Sequence, residues 1–90
     1  MSEPRAIGRV IHYWTRLCVA GVELTDSLKM DDWVHFRGTT TDFQQRVTSM
    51  QLDRQFIDQA DAGQEIGVLV ADRVRVGDTV YLLEDQTGPH

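Results

Sequence analysis

Ninety residues are enough for one domain and too few for two. The composition, 41% hydrophobic and 26% charged, is that of an ordinary globular chain, so a fibrous or low-complexity protein is excluded. The net charge of −5 sits entirely in residues 55–90, where Arg73 and Arg75 face seven acids, and this excludes a generic polyanion binder while leaving room for one local RNA-binding face.

In chain order, Ile7–Tyr13 is β-branched and aromatic and is predicted to be a strand. Trp14-Thr15-Arg16 is a short connection to a second strand, Leu17–Leu24, in which Gly21 marks a bulge or a close backbone approach. Thr25–Asp32 is polar and predicts a turn or a single helical turn capped by Thr25 or Asp26. Trp33–Arg37 alternates, with Val34 and Phe36 on one face and Trp33, His35 and Arg37 on the other. Phe43–Leu52 is a longer strand whose apolar parity shifts, which predicts a bulge near Thr48-Ser49. Phe56–Ala62 carries apolar residues at helical spacing and is predicted to be a short helical turn ended by Gly63 in a left-handed cap. Ile66, Val68 and Val70 alternate on a fifth strand, and a turn at Gly77-Asp78 leads to a sixth, Thr79–Leu83.

Six short strands with turns every 8–12 residues or so predict an all-β domain, a small barrel or sandwich. Closing the barrel would remove exposed strand edges. The expected organisation is a flexible N-terminus at 1–6, the β-domain at 7–83, and a disordered tail at 84–90. No apolar run approaches the ~18 residues of a membrane helix, and residues 1–5 lack a basic and apolar leader. The single cysteine, Cys18, lies among Leu17, Val19 and Ala20 and is expected to be a buried, inert thiol in a reducing cytosol.

The run Ile57–Val70, with its acidic turn ending in Ala62-Gly63 and its Val/Ile-Gly-Val strand, resembles domain 2 of elongation factor Tu and related translational GTPases. Gly8-Arg9-Val10 is similar to the opening strand of that domain. Leu28–Val34 is similar to its Lys-x-Gly-Asp turn, with Asp31 in place of Gly, and Arg73–Val80 to its closing segment. The Gly8–Tyr13 opening and the Thr40–Gln45 segment are similar to small stand-alone elongation-factor-like proteins. The resemblance implies a closed six-stranded, antiparallel-rich β-barrel of the translation-protein type, with one short helical turn before Gly63. It also implies a contact with the aminoacylated 3′ end of tRNA through Gln51–Arg54. Arg54 matches a basic position of that pocket, and Gln51 stands where the family has an acid.

The chemistry of a catalyst is not legible. A phosphate-binding loop needs a Gly-rich turn followed by Lys-Ser/Thr, and Lys29 is the only lysine, so no GTP binding or other cofactor is expected. His12, His35 and His90 lack metal-ligand spacing, and no serine or cysteine sits in a nucleophile's setting. Two aromatic and basic clusters remain: His12, Tyr13, Trp14 and Arg16 at the end of the first strand, and His35 and Arg37 beside Trp33 on the third. Exposed aromatic rings stack on bases and arginine pairs with phosphate, so these residues, with Gln51 and Arg54, are candidate contacts for RNA or tRNA. The same rings could instead be core or rim packing, and the same face could dock a protein partner. The expected role is a non-catalytic binding module.

Overall fold

The computed structural model describes residues 4–83. The chain is all-β. Its ten strands are β1 (Arg5–Trp14), β2 (Val19–Leu24), β3 (Leu28–Lys29), β4 (Trp33–Arg37), β5 (Asp42–Arg46), β6 (Met50–Leu52), β7 (Gln55–Ile57), β8 (Gln59–Ala60), β9 (Glu65–Leu69) and β10 (Thr79–Leu83). Eight of them form one sheet in the order β5-β4-β10-β1-β2-β9-β6-β7, every pairing antiparallel, and β3 and β8 form a two-stranded sheet.

The alternation seen in the sequence sets the core. Val34 and Phe36 point inward from β4, Ile66 and Val68 from β9, and Ala20, Val22 and Leu24 from β2. Ile7, Val10, Val47, Met50, Val74 and Val80 complete the same cluster. Most of these side chains are β-branched, the type that packs best on a pleated surface. At about 25 cal/mol per Å² of apolar surface removed from water, such a core is the main source of stability in so small a chain.

Several expectations are corrected. The large sheet is open and not a closed six-stranded barrel, because no ladder joins its two ends. Those ends, β5 and β7, lie close in the chain, with β6 between them in sequence, and the single strand expected over Phe43–Leu52 is divided into β5 and β6 by residues 47–49. This is the place where the parity of inward residues passes from Gln45 and Val47 to Met50. The helical turn expected over Phe56–Ala62 is absent. Its place is taken by β7 and β8, and Phe56 is 76% exposed, so the helical spacing was a coincidence of a strand and a turn. Gly63 does adopt a left-handed φ of 90°, but in a turn where Gln64 N donates to Asp61 O (3.2 Å).

Cys18 is exposed, with φ at 55°, in the turn between β1 and β2, because β1 runs on to Trp14 and β2 starts only at Val19. Arg5 and Ala6 belong to β1, which begins two residues before the strand expected from Ile7. The tail expected at 84–90 and residues 1–3 lie outside the described residues. Asp31, standing where the turn pattern has Gly, has φ of 73°. Its turn is held by Lys29 N donating to Asp32 Oδ2 (2.9 Å).

Candidate functional site

The outer face of the sheet carries a groove of about 600 Å³. Its floor follows from register. His12 pairs with Gly21, Gly21 with Gly67, Gly67 with Gln51, and Gln51 with Phe56, so these five residues form one row across five strands. Directly paired residues project from the same face of a sheet. Two glycines in the middle of the row leave no side chains there, and the groove runs over them. A register shift between Val10 and His12 turns His12 and Trp14 outward after the buried Val10.

One wall is aromatic. His12 and Trp14 lie with ring centroids 4.2 Å apart at 54°. The indole sits over Gly21: a β-carbon there would stand 3.2 Å from Trp14 Cζ3. Trp14 remains 44% exposed on its other side. The opposite wall is the β6–β7 hairpin, from which Gln51, Asp53 and Arg54 line the groove. Asp53 (φ 51°) and Arg54 (φ 67°) are the two central residues of that hairpin's loop, and two positive φ values define a type I′ turn. Leu17 and Val19 close the end nearest the β1–β2 turn, and Glu65 and Ile66 also line the groove.

Of the residues singled out from the sequence, His12, Trp14, Gln51 and Arg54 meet in this groove. Tyr13 does not: it points to the other face and packs against the core. Arg16 is exposed in the β1–β2 turn and does not line the groove. His35 and Arg37 sit on β4 and line a separate hollow of about 170 Å³ with Pro4 and Tyr81, so the two clusters do not form one surface. The His35 ring is bonded to Asp42 Oδ1. Gly21, Gly67, Leu17, Val19 and Glu65 escaped selection as site residues. The signal for the first two was present, since each is a glycine inside a strand pattern, but only register places them side by side.

His12, Asp53, Arg54 and Glu65 make no side-chain hydrogen bond or ion pair with any described residue. Among the described residues, no group of three or more His, Cys, Asp or Glu is placed to hold a metal. No helix among them is long and apolar enough to cross a membrane.

The fold defines a class. It is shared with the C-terminal domain of a candidate U32 peptidase from Geobacillus thermoleovorans, with a TM-score of 0.82 at 18% identity, covering 88% of this chain and 92% of that domain. The selenomethionine variant of the same domain gives 0.81 at 19% identity, covering 86% and 98%. At such identity the likeness establishes the fold alone. In sequence, the chain is 38% identical over 80 residues to a Methanocaldococcus jannaschii protein named as an uncharacterized protease. That match covers 88% of this chain and 20% of the relative, so the chain spans about one fifth of its relative's length. No protein-family model matches. These likenesses correct the resemblance read from the sequence: they point to the C-terminal domain of U32 peptidases and not to domain 2 of elongation factor Tu, and no link to translation follows. The motifs behind that resemblance describe turn chemistry, such as the left-handed residues Gly63 and Asp31, which unrelated small β-domains also need.

Proposed function

We propose that this chain is a non-catalytic recognition module that holds a short single-stranded RNA segment in the Trp14–Arg54 groove. The observation that carries the reading is the setting of Trp14. One side of the indole rests on Gly21 and beside His12, and the other is open to solvent. A ring fixed in this way offers a stacking platform for a base, worth about 1–3 kcal/mol per base. The Gln51 amide has the donors and acceptor to meet a base edge, and the Arg54 guanidinium is uncommitted and can take a phosphate. Asp53 and Glu65 line the same groove, so affinity rests on stacking more than on charge. The uncommitted titratable groups favour a binding surface over a catalytic one, since a nucleophile and its base would be hydrogen-bonded. The protease naming belongs to a relative about five times the length of this match, and the U32 peptidase naming to a protein of which the similar structure is the C-terminal domain, so neither activity is carried to this chain.

Fluorescence titration of a Trp33→Phe background with oligouridine, which leaves Trp14 as reporter, tests the reading. Quenching with Kd of the order of 10⁻⁵ M at low salt is expected, and a Trp14→Ala variant should lose binding in a gel assay. Unchanged fluorescence, together with no shift in a gel assay, removes RNA from consideration.

A protein partner is the second reading, favoured by the exposed Leu17, Phe56 and Leu69 around the groove. Apolar rims of this kind mark protein contacts. A complex that survives nuclease treatment and is lost in Phe56→Ser would select it over RNA.

A further inference from the structure

Three polar side chains are buried among the described residues: Thr41 (4% exposed), Gln45 (8%) and Asp78 (5%). All three lie on one seam, where the β4–β5 hairpin meets the segment 69–78. Gln45 fastens one end. Its Nε2 donates to Leu69 O (2.8 Å) and its Oε1 accepts from Ala71 N (2.7 Å). Asp78 fastens the other. Its Oδ2 accepts from Arg75 N (2.8 Å), and its Oδ1 lies against Gly38, where an added β-carbon would stand 1.9 Å away.

Thr41 sits between these two fastenings. Its carbonyl accepts from Gly38 N (2.8 Å), but its side-chain hydroxyl has no hydrogen-bond partner among the described residues. An unsatisfied buried hydroxyl is destabilising and calls for a ligand or another compensating group. Thr41 lines a cleft of about 250 Å³ with Thr40, Phe43, Arg73 and Arg75. Val74 is buried, and Arg73 and Arg75 on either side of it both line the cleft. Neither guanidinium has an ion pair or hydrogen bond among the described residues. They are also the only basic arginine or lysine side chains after residue 54. Asp42, bonded to the His35 ring, and Asp72, whose Oδ1 accepts from Arg73 N (2.8 Å), also line the cleft, and their charges oppose an anion and hold its affinity to the weak range.

We propose that this cleft is a phosphate site, in which Arg73 and Arg75 meet the oxygens of a phosphoryl group and the Thr41 hydroxyl donates a further bond. Paired guanidiniums suit tetrahedral oxyanions because their N–H forks bind two oxygens at once. The space exceeds a water's share of roughly 30 Å³ several times over, enough for phosphate with a small organic substituent. The site is separate from the Trp14 groove and shares no residue with it.

The test is an amide-detected NMR titration of the isotope-labelled chain with inorganic phosphate, ionic strength held constant with chloride. Saturable shifts are expected at Thr40, Thr41, Arg73 and Arg75, with Kd of about 1 mM or tighter. The Arg73→Gln/Arg75→Gln double variant should bind at least about tenfold more weakly. Thr41→Val should also weaken binding, because it keeps the side chain's shape and removes the hydroxyl donor. A parallel titration with glycerol phosphate separates the sources: tighter binding than inorganic phosphate assigns the site to a phosphomonoester, and weaker binding to the free ion. Trp14→Ala should leave the phosphate shifts unchanged, so failure of the RNA reading and failure of this one are distinct results. The proposal is overturned if those four amides show no saturable shift at tens of millimolar phosphate. Equal shifts at Arg16, Arg37 and Arg54, or shifts unaffected by the double arginine variant, overturn it too.

Discussion

The indole of Trp14 rests on Gly21, with Cζ3 3.2 Å and Cη2 3.4 Å from the point a β-carbon on that glycine would occupy. The ring can give way, since it is partly exposed, whereas Gly38 faces the buried carboxylate of Asp78 at 1.9 Å. The two positions should therefore respond differently to alanine. Gly21→Ala is expected to keep the fold and displace Trp14, weakening ligand binding and shifting the tryptophan emission maximum. Gly38→Ala must push the β4–β5 hairpin off Asp78 and should cost about 1–3 kcal/mol in urea unfolding. Equal stability losses for the two would contradict this assignment of roles.

Arg54 occupies a left-handed conformation that a glycine would adopt without strain. Arg54→Gly should stabilise the chain by about 1 kcal/mol in chemical denaturation. The same change should weaken ligand binding, because it removes the guanidinium from the groove. A variant that is both more stable and equally competent would show that Arg54 takes no part in recognition.

Salt dependence separates stacking from charge. One phosphate contact, through Arg54, gives a slope of log K against log salt of about −0.7 for a single strand. A measured slope of −3 or steeper, which is roughly four phosphates, would mean that the ligand follows a basic path outside this groove.

Gln45 uses both ends of its amide on backbone groups of another segment. Gln45→Ala leaves Leu69 O and Ala71 N without that partner and should cost about 2–4 kcal/mol, as two lost bonds in a half-buried seam. Gln45→Leu should be no better, since its bulk fills the space but bonds neither group. Amide exchange of Ala71 should accelerate in both variants.

The exposed turn position of Cys18 predicts rapid labelling. In the native chain Cys18 should react with a thiol reagent at a rate within a few-fold of that in denaturant. Strong protection in the native state would place it back in the interior.

Strand periodicity was legible wherever one face is buried. Val34 and Phe36, and Ile66, Val68 and Val70, point inward as their alternation required. The parity change between Val47 and Met50 marks the irregularity near Thr48-Ser49, but it predicts a bulge within one strand, Phe43–Leu52, where the structure has two strands, β5 and β6. The Phe56–Ala62 segment misled because Phe56, Ile57 and Ala60 match a helical period while belonging to two short strands. Local spacing cannot distinguish these when each strand has two or three residues. A third of the groove's lining was visible as chemistry, in His12, Trp14, Gln51 and Arg54. The glycine floor was not, because Gly21 and Gly67 are far apart in the chain and become neighbours only through pairing. The phosphate cleft was hidden for a similar reason: Thr41 and Arg73 meet across a seam made by two buried side chains.

The position of β10 has a kinetic consequence. This final strand lies between β4 and β1, so it alone joins the β4–β5 hairpin to the rest of the large sheet. Until residues 79–83 insert, β1 and β4 each present an unpaired edge, and Ile7, Val34 and Phe36 have no Val80 to pack on. The β1–β10 ladder links residues more than 70 positions apart at its far end, Arg5 with Leu82. Such contacts are slow to form, because the loop entropy is lost before the pairing compensates. The two halves of the sheet must therefore remain incomplete until residues 79–83 pair, and deleting those residues should abolish cooperative folding.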